Sequence, residues 1–373
     1  MSTPSPAHFV LVGGAGWRAQ FFLRAARELP HLFRCTGMLI RNPEQARAVH
    51  ATWGVPVYQT LDALLDHGQP TFAVVSVPRT AAPDILAAIA RAEVPILCET
   101  PPAGTLDELL KLHALVKQGA RIQVAEQFTF QPAHAARLAI IRSGLIGDPT
   151  YAHLSASHGY HNISLLRHYL GIGYEQVTIR AQKFTQKITK GPHRAGPPQK
   201  EELIDCPHVL ATFDFGSKQA LYDAAENQHR SLIRTNHTLI RGPRGEINDN
   251  TVKYLPPTED GYLNPITTHL IRHDAGQDET LEGYHHKGIT AGDKWFYKNP
   301  FPLSFASPRL LDDELAVATC MLKMAEYAKG GTDFYPLAEA SQDTYLSMLL
   351  DESAATGKPM TSTPQPWCPS QGK

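Results

Sequence analysis

The first 128 residues alternate short apolar, β-branched runs with longer segments of helical periodicity, and no other feature constrains the fold as tightly. Strands covered on both faces read as continuous apolar runs, and the helices between them are apolar on one side, so this alternation predicts a parallel sheet covered by helices. Residues 8–12 (HFVLV) predict the first strand. Residues 18–29 predict a helix, with Phe22, Leu23, Ala26 and Leu29 near one face. Residues 33–40 predict a second strand, and Asn42 and Pro43 then stand where a cap and a first-turn proline belong. Residues 55–58, 72–77, 96–99 and 122–125 predict four more strands, separated by helices starting near Leu61, Pro83 and Leu106.

After residue 127 the pattern changes. A helix is predicted over residues 132–143, and from 150 to about 270 alternating segments with turn signals predict a largely antiparallel sheet, interrupted by a helix over 163–170. Residues 188–202 are rich in proline, glycine and lysine and predict an exposed loop. Two closing helices are expected over 312–329 and 337–356. The expected division is a dinucleotide-binding domain over 1–128, an α+β substrate domain over 129–358 and a flexible tail over 359–373.

A chain of 373 residues is long enough for two cores. With 35 Lys plus Arg against 36 Asp plus Glu, no global field recruits nucleic acid or an anionic membrane. The five cysteines are scattered without a Cys-x-x-Cys pair, which fits reduced thiols and a cytoplasmic protein. No stretch is apolar over the roughly 18 residues that a membrane span needs. The 18 histidines are the one unusual count.

The strongest local signal is VLVGGAGWRAQF, where Gly14, Gly16 and Ala19 give Gly-x-Gly-x-x-Ala between a strand and a helix. Glycines there let a turn tighten and let a diphosphate approach the amides of a helix N-terminus. Trp17 and Arg18 share the turn and can touch a bound dinucleotide or simply pack. At the end of the second strand, where Asp or Glu binds the ribose 2′-hydroxyl of NAD, the chain has Arg41, a residue able to accept a 2′-phosphate. Arg41 therefore favours NADP over NAD, the alternative being a solvated loop arginine. Glu126 and Gln127, after the sixth strand, can also face the cofactor.

With these motifs the chain resembles the Gfo/Idh/MocA family of oxidoreductases over residues 9–359. SVPRTAAPDIL and CETPPAG stand where the family has its cofactor-ribose loop and its Glu-Lys-Pro motif, which assigns cofactor contacts to Val77, Pro78, Glu99 and Thr100 by resemblance. HGYHNISLLRHYLG is similar to the start of the family's active-site helix, and the segment from Asp312 to Met360 is similar to its closing helices. The resemblance implies a Rossmann domain plus an open, mostly antiparallel sheet that commonly serves as a dimer face. A homodimer or homotetramer is therefore expected, acting on a small polar, sugar-like substrate.

The departures bear on the chemistry. The family's lysine position holds Thr100, and its aspartate four residues before a histidine is Ser157, so only His161 remains of that set. Alcohol oxidation needs a group that takes the hydroxyl proton, and threonine does not titrate usefully. An imidazole does, which makes His161 the leading acid–base candidate, with Tyr160 and His158 beside it. The alternative for His161 is capping or packing. His158 and His161 are spaced for a metal, but no carboxylate or cysteine completes a set, so none is expected. A second cluster, LEGYHHKGITAGDKWFYKNPF, brings Tyr284, His285, His286 and Lys287 among aromatics. Read as a loop, it offers Lys287 as a stand-in for the missing lysine. Two other functions remain open at this point: a redox-neutral glycosidase or lyase that uses bound NAD(P) transiently, and a cofactor-binding sensor without catalysis.

Overall fold

The computed structural model describes residues 5–193, 196–257, 263–276, 285–301 and 310–369. The chain divides into two units. The first comprises residues 1–132, 273–288 and 298–341, and the second residues 133–272, 289–297 and 342–373.

The first unit opens with β1 (Ala7–Val12), α1 (Ala19–Glu28), β2 (Phe33–Leu39), α2 (Pro43–Trp53), β3 (Val57–Tyr58) and α3 (Leu61–Gly68). It continues with β4 (Phe72–Val75), α4 (Ala82–Arg91), β5 (Ile96–Cys98), α5 (Leu106–Lys117) and β6 (Ile122–Val124). The strands form one parallel sheet of order β3-β2-β1-β4-β5-β6, the doubly wound arrangement that the alternating pattern predicts. Local chemistry sets the helix starts. Asn42 Oδ1 accepts from the amides of Glu44 and Gln45, and Thr105 forms a reciprocal capping box with Glu108.

The second part of the chain contains α6 (Pro132–Arg142), β7 (Tyr151–Ser155), α7 (Gly159–Leu170), β8 (Thr178–Thr189), β9 (Leu203–Asp214) and β10 (Gln219–Ala225). Strands β11 (His237–Gly242), β12 (Gly245–Asn248), β13 (Thr251–Tyr254), β14 (Ile266–Ala275), β15 (His285–Ala291) and β16 (Lys294–Lys298) follow. The chain closes with α8 (Asp312–Ala328), α9 (Leu337–Thr356) and β17 (Met360–Thr361). Eleven strands make one sheet, β16-β15-β14-β13-β12-β11-β7-β10-β9-β8-β17, in which β7 and β10 pair in parallel. The other described pairings of this sheet are antiparallel.

Three expectations are corrected. The closing helix α8 belongs to the first unit: Leu315, Val317, Ala318, Cys320, Met321 and Met324 share one core with Phe9, Phe22 and Phe72. A boundary at 128/129 misses this because a helix does not announce which sheet it will cover. The tail read as flexible from 359 instead adds β17 to the edge of β8. There Trp367 is 4 % exposed and its indole N–H donates to Gln342 Oε1 at 3.0 Å. The supposed loop around Lys287 is β15 and β16, with Tyr284 outside the described residues.

Candidate functional site

In the first unit the turn after β1 is built around Gly13. Its φ is +92°, and a Cβ there would lie 2.1 Å from the carbonyl oxygen of Ser76, the residue after β4. The Gly16 amide closes the turn onto the Gly13 carbonyl at 3.1 Å. The steric requirement of the turn therefore falls on Gly13, one residue before the motif read from sequence. The signal was a glycine doublet at the strand end, whose first member the spacing Gly14-x-Gly16 passes over. Gly14 is buried against Met38, Gly16 is exposed, and Ala19 is fully buried as the first residue of α1.

A cavity of about 680 Å³ opens at this turn, lined by Gly13, Gly16, Arg41, Ser76, Val77 and Pro78 among others. It lies at the carboxyl ends of β1, β2 and β4, where the strand order reverses and open α/β sheets take their ligands. Arg41 is thus at the cavity wall, beside the cap residue Asn42. Trp17 is 42 % exposed and meets the edge of Phe21 at 4.7 Å.

Arg18 does something the sequence did not suggest. Its Nε donates to Glu99 Oε1 at 2.9 Å and its Nη1 to Asp313 Oδ2 at 2.7 Å, with the guanidinium 4.8 Å from the Phe21 ring. Asp313 is 295 residues away, in the first turn of α8, and nothing local in the sequence pairs the two. Both carboxylates hold the guanidinium charged, its pKa lying above the ordinary value although burial, the largest influence, opposes this. Thr100 follows Glu99 and precedes a cis peptide to Pro101. After β6, Glu126 is fully buried and accepts from the Phe128 amide at 3.2 Å; Gln127 is 5 % exposed.

A dinucleotide fits these residues on two observations. Gly13 packs the turn against Ser76, which leaves the exposed backbone of Gly16 at the cavity wall. In addition, Arg18 Nη2 and Gln127 Oε1 are buried with no hydrogen-bond partner among the described residues, a donor and an acceptor still to be satisfied.

In the second unit, α7 begins at a histidine-rich corner. His158 holds the N-cap position with extended backbone but makes no side-chain cap bond. The Gly159 amide instead donates to Tyr222 Oη at 2.6 Å, and burial pushes the Tyr222 pKa to about 12, keeping it a neutral acceptor. The His161 ring lies edge-on to Tyr160 at 5.5 Å and to His158 at 6.1 Å. His161 is half-buried, Tyr160 buried and His158 exposed. The His158 pKa falls below its ordinary value, chiefly through ring desolvation, with repulsion from His161 and Arg230 adding to it. His158, Tyr160 and His161 do come together.

Lys287 is exposed on β15, in the first unit, and its carbonyl accepts from the Asn299 amide at 3.1 Å. His286 is buried with Nδ1 3.0 Å from Asp274 Oδ1, and its carbonyl accepts from Asn299 Nδ2, a structural arrangement. His285 is half-buried on the same strand. Among the described residues no three His, Cys, Asp or Glu side chains are placed to hold a metal, and no helix is long and apolar enough to cross a membrane.

Comparison with known proteins agrees with this geometry. Residues 8–126 match the model of the oxidoreductase family GFO_IDH_MocA, NAD-binding Rossmann fold. No curated protein matches the sequence. Among solved structures, a levoglucosan dehydrogenase in complex with NADH and levoglucosan aligns at TM-score 0.68 and 17 % identity, covering 96 % of this chain and 99 % of that one. An oxidoreductase from Agrobacterium radiobacter, in complex with NAD+, L-tartaric acid and magnesium, aligns at TM-score 0.66 and 17 % identity, covering 95 % and 98 %. A putative myo-inositol dehydrogenase from Sinorhizobium meliloti 1021 aligns at TM-score 0.63 and 17 % identity, covering 95 % and 99 %. At these identities the structural likeness shows the fold. The first part of the chain, residues 8–126, is thus similar to the NAD-binding Rossmann part of the GFO_IDH_MocA oxidoreductases.

Proposed function

We propose that this protein moves a hydride between a nicotinamide dinucleotide and a sugar, polyol or related polar alcohol or ketone, with His161 as leading acid–base residue. The observation that carries the reading is a dinucleotide turn whose Gly13 admits no side chain, on a chain that also presents His158, Tyr160 and His161 together at the start of α7. The levoglucosan and inositol dehydrogenases of the same fold support a polyhydroxylated substrate.

The bound dinucleotide supplies the hydride acceptor or donor. Gly13, Gly16 and the start of α1 hold its diphosphate, Val77, Pro78, Glu99, Thr100 and Gln127 line its nicotinamide side, and Arg41 favours a 2′-phosphate. In the oxidation direction the substrate carbon loses a hydride with its electron pair, the hydroxyl oxygen loses its proton, and a carbonyl forms. Thr100 cannot take that proton. Arg18 cannot either, because two carboxylates hold it charged. His161 takes it, with Tyr160 or Lys287 assisting and His158 next to it. The open sheet, with Phe184 and Ile271 exposed on it, is the proposed face for a second copy. Five free thiols support a reducing, cytoplasmic setting.

The test is a panel of sugars and polyols incubated with NAD+ or NADP+ while reduced nicotinamide is followed by absorbance. Stoichiometric reduction by a polyhydroxylated substrate, lost in His161→Asn with cofactor affinity retained, supports the reading. Substrate conversion without net cofactor turnover would point to the redox-neutral alternative. Activity unchanged in His161→Asn would remove His161 from its role.

A further inference from the structure

In a sheet of order 3-2-1-4-5-6 the two mononucleotide halves divide between the strands, and the nicotinamide half belongs to the carboxyl ends of β4, β5 and β6. Glu99 directly follows β5, and Glu126 lies two residues beyond β6. Arg18 reaches this end from the glycine turn and binds Glu99 at 2.9 Å and Asp313 at 2.7 Å. Among the described residues two carboxylates, those of Glu99 and Asp313, face the Arg18 guanidinium. The neighbouring Arg24–Glu314 pair, 3.0 Å, is compensated within itself and leaves that excess unchanged. Arg18 Nη2, and Gln127 Oε1 on an almost wholly buried side chain after β6, have no hydrogen-bond partner among the described residues.

We propose that this cluster sets the redox preference of the bound nicotinamide. Its excess negative charge favours the cationic ring of the oxidised dinucleotide over the neutral ring of the reduced one, and Arg18 Nη2 offers a donor to a neutral oxygen of that half. An exposed carboxylate would be screened by water, but Glu99 is withdrawn from it, so its charge acts at longer range. The inference rests on the dinucleotide reading and adds a direction to it: the empty protein is tuned to receive the form that oxidises an alcohol. Arg18 moderates the excess and fixes Glu99 and Asp313 in place, a positioning role.

Dissociation constants of NAD+, NADH and ADP-ribose, measured by calorimetry on the wild type, Asp313→Asn and Arg18→Met, test this. Asp313→Asn removes one negative charge and is expected to raise the ratio Kd(NAD+)/Kd(NADH) about threefold to tenfold. Arg18→Met removes the positive charge and is expected to lower it. ADP-ribose lacks the ring, so its affinity should hold in Asp313→Asn. A purely structural role would not move the ratio in opposite directions. A ratio that stays fixed, or shifts the same way in both variants, overturns the proposal. Should Arg18→Met fail to fold, Arg18→Lys keeps the charge and must leave the ratio in place while Asp313→Asn moves it. A wild type that binds none of the three nucleotides overturns the dinucleotide reading itself, which is a different result from an unmoved ratio.

Discussion

Arg167 and Asp343 stand 176 residues apart and form an ion pair at 2.5 Å with both side chains withdrawn from water. Arg167 lies on α7, six residues after His161, and also donates to the Gly173 carbonyl just beyond that helix. Asp343 lies on α9. The pair therefore ties the helix that carries the acid–base candidate to the last helix of the chain.

Because the charges are buried, removing one partner strands the other in a medium that cannot solvate it. Asp343→Ala is expected to destabilise the protein by about 3–5 kcal/mol, read as a lower denaturant midpoint. A midpoint like that of the wild type would mean that Arg167 has another adequate partner.

Gly13→Ala is expected to lower dinucleotide affinity on the order of a hundredfold while leaving the far-ultraviolet circular dichroism spectrum in place. The added carbon lies too close to the Ser76 carbonyl, and the φ of +92° disfavours it as well. Gly16→Ala meets only the Gly13 carbonyl, at 3.5 Å, and should be the milder change. Calorimetry on both variants checks the order.

Arg41 lines the nucleotide cavity at the end of β2. If it receives a 2′-phosphate, Arg41→Ala will weaken NADP+ about tenfold relative to NAD+, the scale of one charge-assisted contact. An unchanged ratio of the two dissociation constants would sink the idea.

His134 on α6 is fully enclosed, with Nδ1 2.6 Å from Tyr169 Oη, and burial together with Arg137 lowers its pKa from 6.5 to about 3. Between those values the unfolded chain holds the extra proton and the folded chain does not, so stability falls as the pH drops through that window. The loss attributable to this group is roughly 3–5 kcal/mol when the window is fully crossed. Urea midpoints taken from neutral to acid pH should therefore decline in the wild type, and the slope should be shallower in His134→Asn.

Much of the first unit was legible because its information is local. A β-branched run, a one-faced helix, Asn42 before Pro43 and a glycine doublet after a strand each act within a few residues, and each produced the element it predicts. The start of α7 was legible for the same reason: His158, Tyr160 and His161 are near in space because they are near in sequence. The spacing Gly14-x-Gly16 does not single out Gly13, since spacing alone does not say which glycine meets the Ser76 carbonyl.

What the sequence by itself determined is the alternation that winds β1 to β6 into a parallel sheet, the change to antiparallel strands after it, and the threonine at position 100, which cannot move a proton at neutral pH. The tertiary structure alone decided that α8 returns to the first core, that Trp367 seals the end of the chain, and that Arg18 meets both Glu99 and Asp313. The reason is physical. Hydrogen-bonded periodicity is written over neighbouring residues, whereas buried charges must find partners wherever the fold supplies them, and those partners lie 81 and 295 residues away.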